Sequence, residues 1–424
     1  MKYSSMSPAE LGEEKLRLET QYHEICAKGL KLDMSRGKPS KAQLDLSEGL
    51  LTVLSENEDC LSAGGVDCRN YGGLDGLPEA KQMFSDILEI PVQNIIVGGN
   101  SSLNMMFDTL SRAMLFGMNA ECGPWVGNNV KFLCPAPGYD RHFSVCETLG
   151  IEMIPVPMHE DGPDMDLVER LCAEDASIKG IWCVPKYSNP QGYVYSDETV
   201  RRFAALRPAA KDFRIMWDNA YIIHSFVGDP ARQLNLFEEA KRLGNEDQVI
   251  IFCSTSKITY PGAGVAAMAM SDANIAFAKK VMTMQTIGPD KINQLRHVKF
   301  FGGSRGLAEH MKKHADLLRP KFEIVFHALE TLREADICRW TTPTGGYFLS
   351  VDTMPGCAKR VYALAKQAGV TLTSVGATFP YGRDPEDTNL RIAPSFPINA
   401  ELAQAAEVLC LCIRLASVEK LLNA

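Results

Sequence analysis

The sequence predicts an α/β protein in which a large domain built on a mostly parallel sheet precedes a smaller α+β domain. Three observations carry this. From about residue 70 to 285 short apolar runs alternate with amphipathic helical patterns, as in a parallel sheet covered on both faces. After Pro289 the pattern changes to longer helices around short strands. A chain of 424 residues also exceeds what one hydrophobic core supports, so at least two domains are expected. The expected division is 1–59 for an N-terminal helix and segment, 60–300 for the large domain and 301–424 for the small one.

Taken in order, Ser7-Pro8-Ala9-Glu10 is a capping box with proline at the first helical position, opening a helix that runs to about Lys28 before Gly29 stops it. This helix and the segment DMSRGKPS are expected to pack with the small domain, because the large sheet is complete without them. Strands are expected at 94–98, 131–135, 151–157, 179–184, 213–217, 249–253 and 264–270. Helices are expected at 78–89, 101–116, 139–149, 196–207 and 233–243, where apolar positions recur at helical spacing. In the second domain, helices over 291–334, with a break near Pro320, and over 400–421 flank strands at 346–351, 370–373 and 389–392.

Composition narrows the function. A hydrophobic share of 46% with 33 glycines and 23 prolines excludes disordered and fibrous classes. The net charge of -8 without a basic run argues against nucleic-acid or anionic-membrane partners. No apolar run reaches the roughly 20 residues of a membrane span, and MKYSSMSPAELGEEKLRLE holds no apolar signal core. A cytoplasmic location is the expectation. Thirteen cysteines without any C-x-x-C, many in apolar segments such as those of Cys134, Cys183 and Cys253, read as buried thiols of a reducing compartment.

Ligands of such sheets sit at the carboxyl ends of strands. After the first strand, Asn100, Ser101 and Ser102 follow a glycine turn and open a helix. Such an N-terminus suits a phosphate, although serine there is also an ordinary helix cap. Tyr139 and His142 begin the helix after the second strand, and Asn189 precedes a proline after the fourth. FRIMW ends on Asp218, with Tyr221 three residues later. A carboxylate at the mouth of a buried strand calls for a cation or strong donor. VIIFC leads to Ser254 and Lys257, and Arg391 stands inside the apolar NLRIAP, where a guanidinium has an anion to bind. Pyridoxal phosphate accounts for these together. It needs a lysine for a Schiff base, a carboxylate for its ring nitrogen and donors for its phosphate.

The ordered set of Tyr71, GGNSS, Tyr139 to His142, Asn189-Pro190, Asp218 to Tyr221, STSK ending on Lys257, and Arg391 resembles the class I/II aminotransferases of pyridoxal-phosphate fold type I. The resemblance runs from SRGKP at 35–39 to RIAPSFP at 391–397. NYGGLDGLPEAK, STSKITYPGAGVA and NLRIAPSFP are more similar still to a bacterial subgroup of atypical aspartate aminotransferases, related to the catalytic domain of MocR-type regulators. It implies a seven-stranded large-domain sheet and ping-pong transamination of amino and 2-oxo acids, with aspartate and 2-oxoglutarate as the expected pair. It further implies that Lys257 forms the Schiff base and shuttles a proton, that Asp218 pairs with the ring nitrogen, that His142 backs Asp218 and that Tyr139 stacks on the ring. Asn189 and Tyr221 would bond the phenolate oxygen, and Asn100, Ser101, Ser102 and Ser254 the phosphate. Tyr71 would reach the phosphate from the partner of a homodimer. Arg391 and the backbone of Gly37 would hold the substrate α-carboxylate, and Arg36 or Arg141 a second one. One departure stands out: the family's phosphate-binding arginine, eight residues after the lysine, is here Val265.

His310 and His314, four apart in a lysine-rich helix, read as a solvated face rather than metal ligands. Cys410 and Cys412 read as core, and His224 as a packed histidine. The same cofactor also serves aminotransferases of aromatic or aminoadipate specificity, β-lyases and decarboxylases. A regulator of the MocR type would need a DNA-binding region, for which the acidic chain shows no helix-turn-helix.

Overall fold

The computed structural model describes residues 2–228 and 232–423. Its large sheet runs in the order Ile95–Val97, Ala266–Met270, Val249–Ser254, Arg214–Asp218, Ile178–Cys183, Lys131–Ala136, Glu152–His159 and the two-residue edge Gly162–Pro163. The pairs from Val249–Ser254 through Glu152–His159 are parallel, whereas Ala266–Met270 runs antiparallel to both its neighbours. The central strands are buried on both faces, which is why they read as continuous apolar runs. Alternate residues feed two cores: Ile215, Trp217 and Ile251 on one side, Met216, Ile250 and Phe252 on the other. All seven expected strands form within two residues of their expected limits. Helices Met165–Glu174 and Asp272–Gln285, capped by the side chains of Asp164 and Ser271, were not expected.

Beyond the large sheet, Cys338–Trp340, Leu349–Thr353 and Asn389–Ile392 form an antiparallel sheet. The N-terminal helix Pro8–Ala27 carries the expected capping box at Ser7 and Glu10. Its Leu11, Leu18 and Tyr22 share a core with Leu409 and Ile413 of the C-terminal helix Asn399–Leu422. Leu32–Asp33 pairs in parallel with Val370–Thr371.

Two expectations need correction. The helical break lies at Gly302, in the left-handed region at φ 60°, and Pro320 sits inside the uninterrupted helix Ser304–Glu330. Burial of Leu318, Phe322 and Val325 around it outweighs the roughly 3 kcal/mol a helical proline costs. On that same helix His310 and His314 are not a solvated face: they are 6% and 1% exposed. The lysines between them are exposed, while the i, i+4 stripe that carries both imidazoles turns inward onto the Ile258 carbonyl, with Nε2 atoms at 2.7 and 2.9 Å. No cluster able to hold a metal occurs among the described residues. All thirteen cysteines are free, with Cys134, Cys183, Cys253, Cys410 and Cys412 buried.

Candidate active site

Three strand ends converge. Tyr139 caps the helix Asp140–Thr148, whose first turn brings His142 Nε2 to 3.0 Å from Asp218 Oδ2. Tyr139 meets the His142 ring edge-on at 4.9 Å, and His142 stacks on Trp182 at 4.2 Å with the planes 10° apart. Asp218 ends its strand with 3% exposure, and its Oδ1 is buried without a hydrogen-bond partner. An orphaned carboxylate oxygen is costly unless a ligand donor meets it. A protonated pyridine nitrogen is such a donor, so the residues present fit the expected cofactor.

Lys257 lies three residues past the strand Val249–Ser254, with its Nζ 5.4 Å from the centre of the Tyr221 ring. Burial pulls the amine below the ordinary lysine range, and the Asp218 carboxylate acts in the opposite sense. The Tyr221 hydroxyl is held well above the usual phenol range by burial, then by Tyr139 and Asp218, so it stays a donor. The backbone under Lys257 is gripped on several sides. Its carbonyl accepts from the Tyr347 hydroxyl at 3.3 Å and lies 3.4 Å from His224 Nε2. Gln43 Nε2 in turn donates to Tyr347 at 2.8 Å and lies 3.2 Å from His314 Nδ1. The Thr255 and Thr259 hydroxyls bracket His297 Nε2 at 3.1 and 2.8 Å, while His297 Nδ1 lies 2.8 Å from the Asn293 carbonyl.

Burial lowers all four imidazoles: His224 to about 3, His297 and His314 to about 4, and His310 in the same direction. The stability that neutral His297 confers is complete above its unfolded value of 6.5 and is lost as pH falls through about 4. At pH 5 the loss is roughly 2 kcal/mol. Thermal melts at pH 7 and pH 5 should show a smaller drop for His297→Gln, which accepts from the same hydroxyls without titrating. An equal drop in both proteins would refute this origin.

At the expected phosphate end, the turn before helix Ser102–Phe116 packs against the strand next to Ser254. A Cβ on Gly264 would lie 2.6 Å from the Asn100 carbonyl oxygen, and Ser254 pairs in register with Ala266. Ser254 Oγ donates to Ser256 Oγ at 3.0 Å. The Ser101 hydroxyl is engaged with Asn104, Ser102 is buried and Asn100 is exposed. Val265 is buried in the core, with its N–H donating to Thr255 Oγ1 at 3.0 Å. The arginine's own position is thus an apolar core residue, and serine hydroxyls with a helix N-terminus are donors at this end.

At the other end, Arg391 in the strand Asn389–Ile392 donates from Nη1 to Asp140 Oδ1 at 2.7 Å and to Asn189 Oδ1 at 3.3 Å. Its guanidinium carbon lies 5.0 Å from the Phe348 ring centre. Gly37 packs against the same ring, since a Cβ there would sit 2.2 Å from Phe348 Cζ. Gly37→Ala should therefore displace Phe348 and cost about 1 to 3 kcal/mol of stability. Thermal melts check this, and an unchanged melting temperature would count against it. Arg36 and Arg141 are both exposed. Tyr71 is 81% exposed, on a loop fixed by Lys291 Nζ donating to the Asn70 and Gly72 carbonyls at 2.7 Å each. The structure thus gathers Lys257, Asp218, Tyr221, Tyr139, His142, Asn189 and Arg391, and leaves Tyr71, Arg36 and Arg141 exposed.

Sequence reasoning missed Asp140, Trp182, Ser256 and Phe348. Asp140 alone had a legible signal, as an acidic residue at a helix start between two expected site residues.

A family model described as aspartate amino-transferase matches residues 6–424. A Mycolicibacterium smegmatis protein whose name places it among aminotransferases without stating a substrate is 48% identical over 426 residues, covering 100% of both chains. An aspartate aminotransferase of Corynebacterium glutamicum is 44% identical over 408 residues, 96% of this chain and 94% of that protein. The crystal structure of an aspartate transaminase from Corynebacterium glutamicum superposes with a TM-score of 0.96 at 42% identity, covering 99% of each chain.

Proposed function

The chain belongs to the aspartate amino-transferase family, and on that premise we propose that it moves the amino group of aspartate to 2-oxoglutarate with pyridoxal phosphate as cofactor. The observation that carries this reading is the buried, unpartnered Asp218 Oδ1, on the strand beside the one that leads to Lys257. Bound pyridoxal phosphate supplies a protonated ring that accepts electron density when the substrate α-carbon loses its proton.

Lys257 Nζ, its amine shifted toward the neutral form by burial, would anchor the cofactor and carry the proton at the substrate α-carbon. Asp218, its other oxygen fixed by His142, would hold the ring nitrogen, and Tyr139 would cover the ring. Tyr221 and Asn189, whose Oδ1 already serves Arg391, would hold the phenolate oxygen. Ser254, the N-terminus of helix Ser102–Phe116 with Asn100, Ser101 and Ser102, and the partner subunit's Tyr71 would hold the phosphate. The exposure of Tyr71 on a pinned loop supports a shared site in a homodimer. Arg391 and the Gly37 backbone take the α-carboxylate, and Arg36 or Arg141 the distal one.

The test is a donor screen with 2-oxoglutarate. Aspartate should have the highest kcat/KM. Arg36→Ala or Arg141→Ala should remove roughly 2 to 5 kcal/mol from aspartate turnover and far less from alanine turnover. Equal losses on both donors would make the arginine structural, and a wild type that prefers neutral donors would overturn the aspartate assignment.

A further inference from the structure

The group that meets Arg391 is a carboxylate of the chain itself. Arg391 and Asp140 form an ion pair at 2.7 Å, with side chains 8% and 30% exposed. Asn189 Oδ1 shares the same Nη1 at 3.3 Å, and Nε reaches Thr373 Oγ1 at 3.4 Å. With Phe348 against the guanidinium, Nη2 is the nitrogen left without a hydrogen bond among the described residues. Asp140 is well placed for this contact. It is the first residue of the helix Asp140–Thr148, where the helix end favours negative charge. It also shares its turn with Tyr139 and His142, so one turn reaches both Asp218 and Arg391.

We infer that Asp140 competes with the substrate: a resident carboxylate that neutralises Arg391 in the empty site and weakens binding of every carboxylate ligand there. This rests on the reading of Arg391 as the α-carboxylate site. A ligand carboxylate forks onto a guanidinium through two N–H groups, and here Asp140 holds one of the outer nitrogens. The incoming carboxylate either displaces Asp140 or shares the cation with it, and both lower its affinity. The effect falls equally on amino acid and 2-oxo acid, so it also hastens product release. Asp140, nearly a third exposed, can turn into water on displacement, whereas Arg391 is packed in place.

The test is calorimetric binding of succinate and of propionate, neither of which reacts, to cofactor-loaded wild type, Asp140→Asn, Asp140→Ser and Arg391→Ala. Both Asp140 variants should bind both ligands about tenfold more tightly or better, and KM should fall for aspartate and alanine alike. Two variants guard against a single folding failure. If Arg391→Ala abolishes binding while the Asp140 variants bind no more tightly than wild type, the competition is overturned and the carboxylate site stands. If Arg391→Ala binds as wild type does, the carboxylate site itself is misplaced and the inference falls with it.

Discussion

Replacing Lys257 by alanine is expected to lower transamination by at least three orders of magnitude while leaving the melting temperature of the cofactor-free protein at or above that of wild type. Proton transfer by a placed base contributes on the order of 10²- to 10⁴-fold, and the same side chain is the covalent anchor, so both losses fall on one substitution. Stability should not suffer, because desolvation disfavours the charged amine and the hydrogen bonds that hold its segment go to backbone carbonyls at 257 and 258. The measurements are steady-state turnover, visible absorbance of the bound cofactor and thermal melts. A variant that retained a tenth of wild-type turnover would show that another group does the chemistry.

Asp218→Ala should cost roughly 3 to 5 kcal/mol in kcat/KM, the scale of breaking a buried ion pair. The physical reason is that the carboxylate keeps the ring nitrogen protonated only while it stays charged and aimed. His142 Nε2 at 3.0 Å does the aiming. Asp218→Asn separates the two: it keeps the contact with His142 and removes the charge, and should lose nearly as much activity. Cofactor-free protein gives an independent readout. Since Oδ1 has no partner there, Asp218→Asn should melt no lower than wild type without cofactor, and should gain less on cofactor addition. Near-normal kinetics in both variants would mean that a different residue faces the ring nitrogen.

Much of the large sheet was legible because its strands are buried on both faces and so read as unbroken apolar runs, with Asp218 and Lys257 visible as charged residues close behind them. The break expected at Pro320 failed because local propensity was outweighed by Phe322 and Val325 packing into a core. The same kind of error affected His310 and His314: lysine-rich surroundings indicated exposure, but the residue count around a helix does not say which stripe a distant loop will cover.

By itself the sequence determined the α/β class, the order of the strands along the chain and the residue types at their ends, because hydrophobic period and strand-end chemistry are local properties. Tertiary structure decided what those residues touch. Arg391 meets Asp140 across 251 positions, and a Cβ at Gly37 would run into the Phe348 ring. The four imidazoles around Lys257 stay neutral because three segments bury them together. Partner, distance and desolvation arise only when remote segments pack, and they set whether a charged side chain is paired, orphaned or free to bind a ligand.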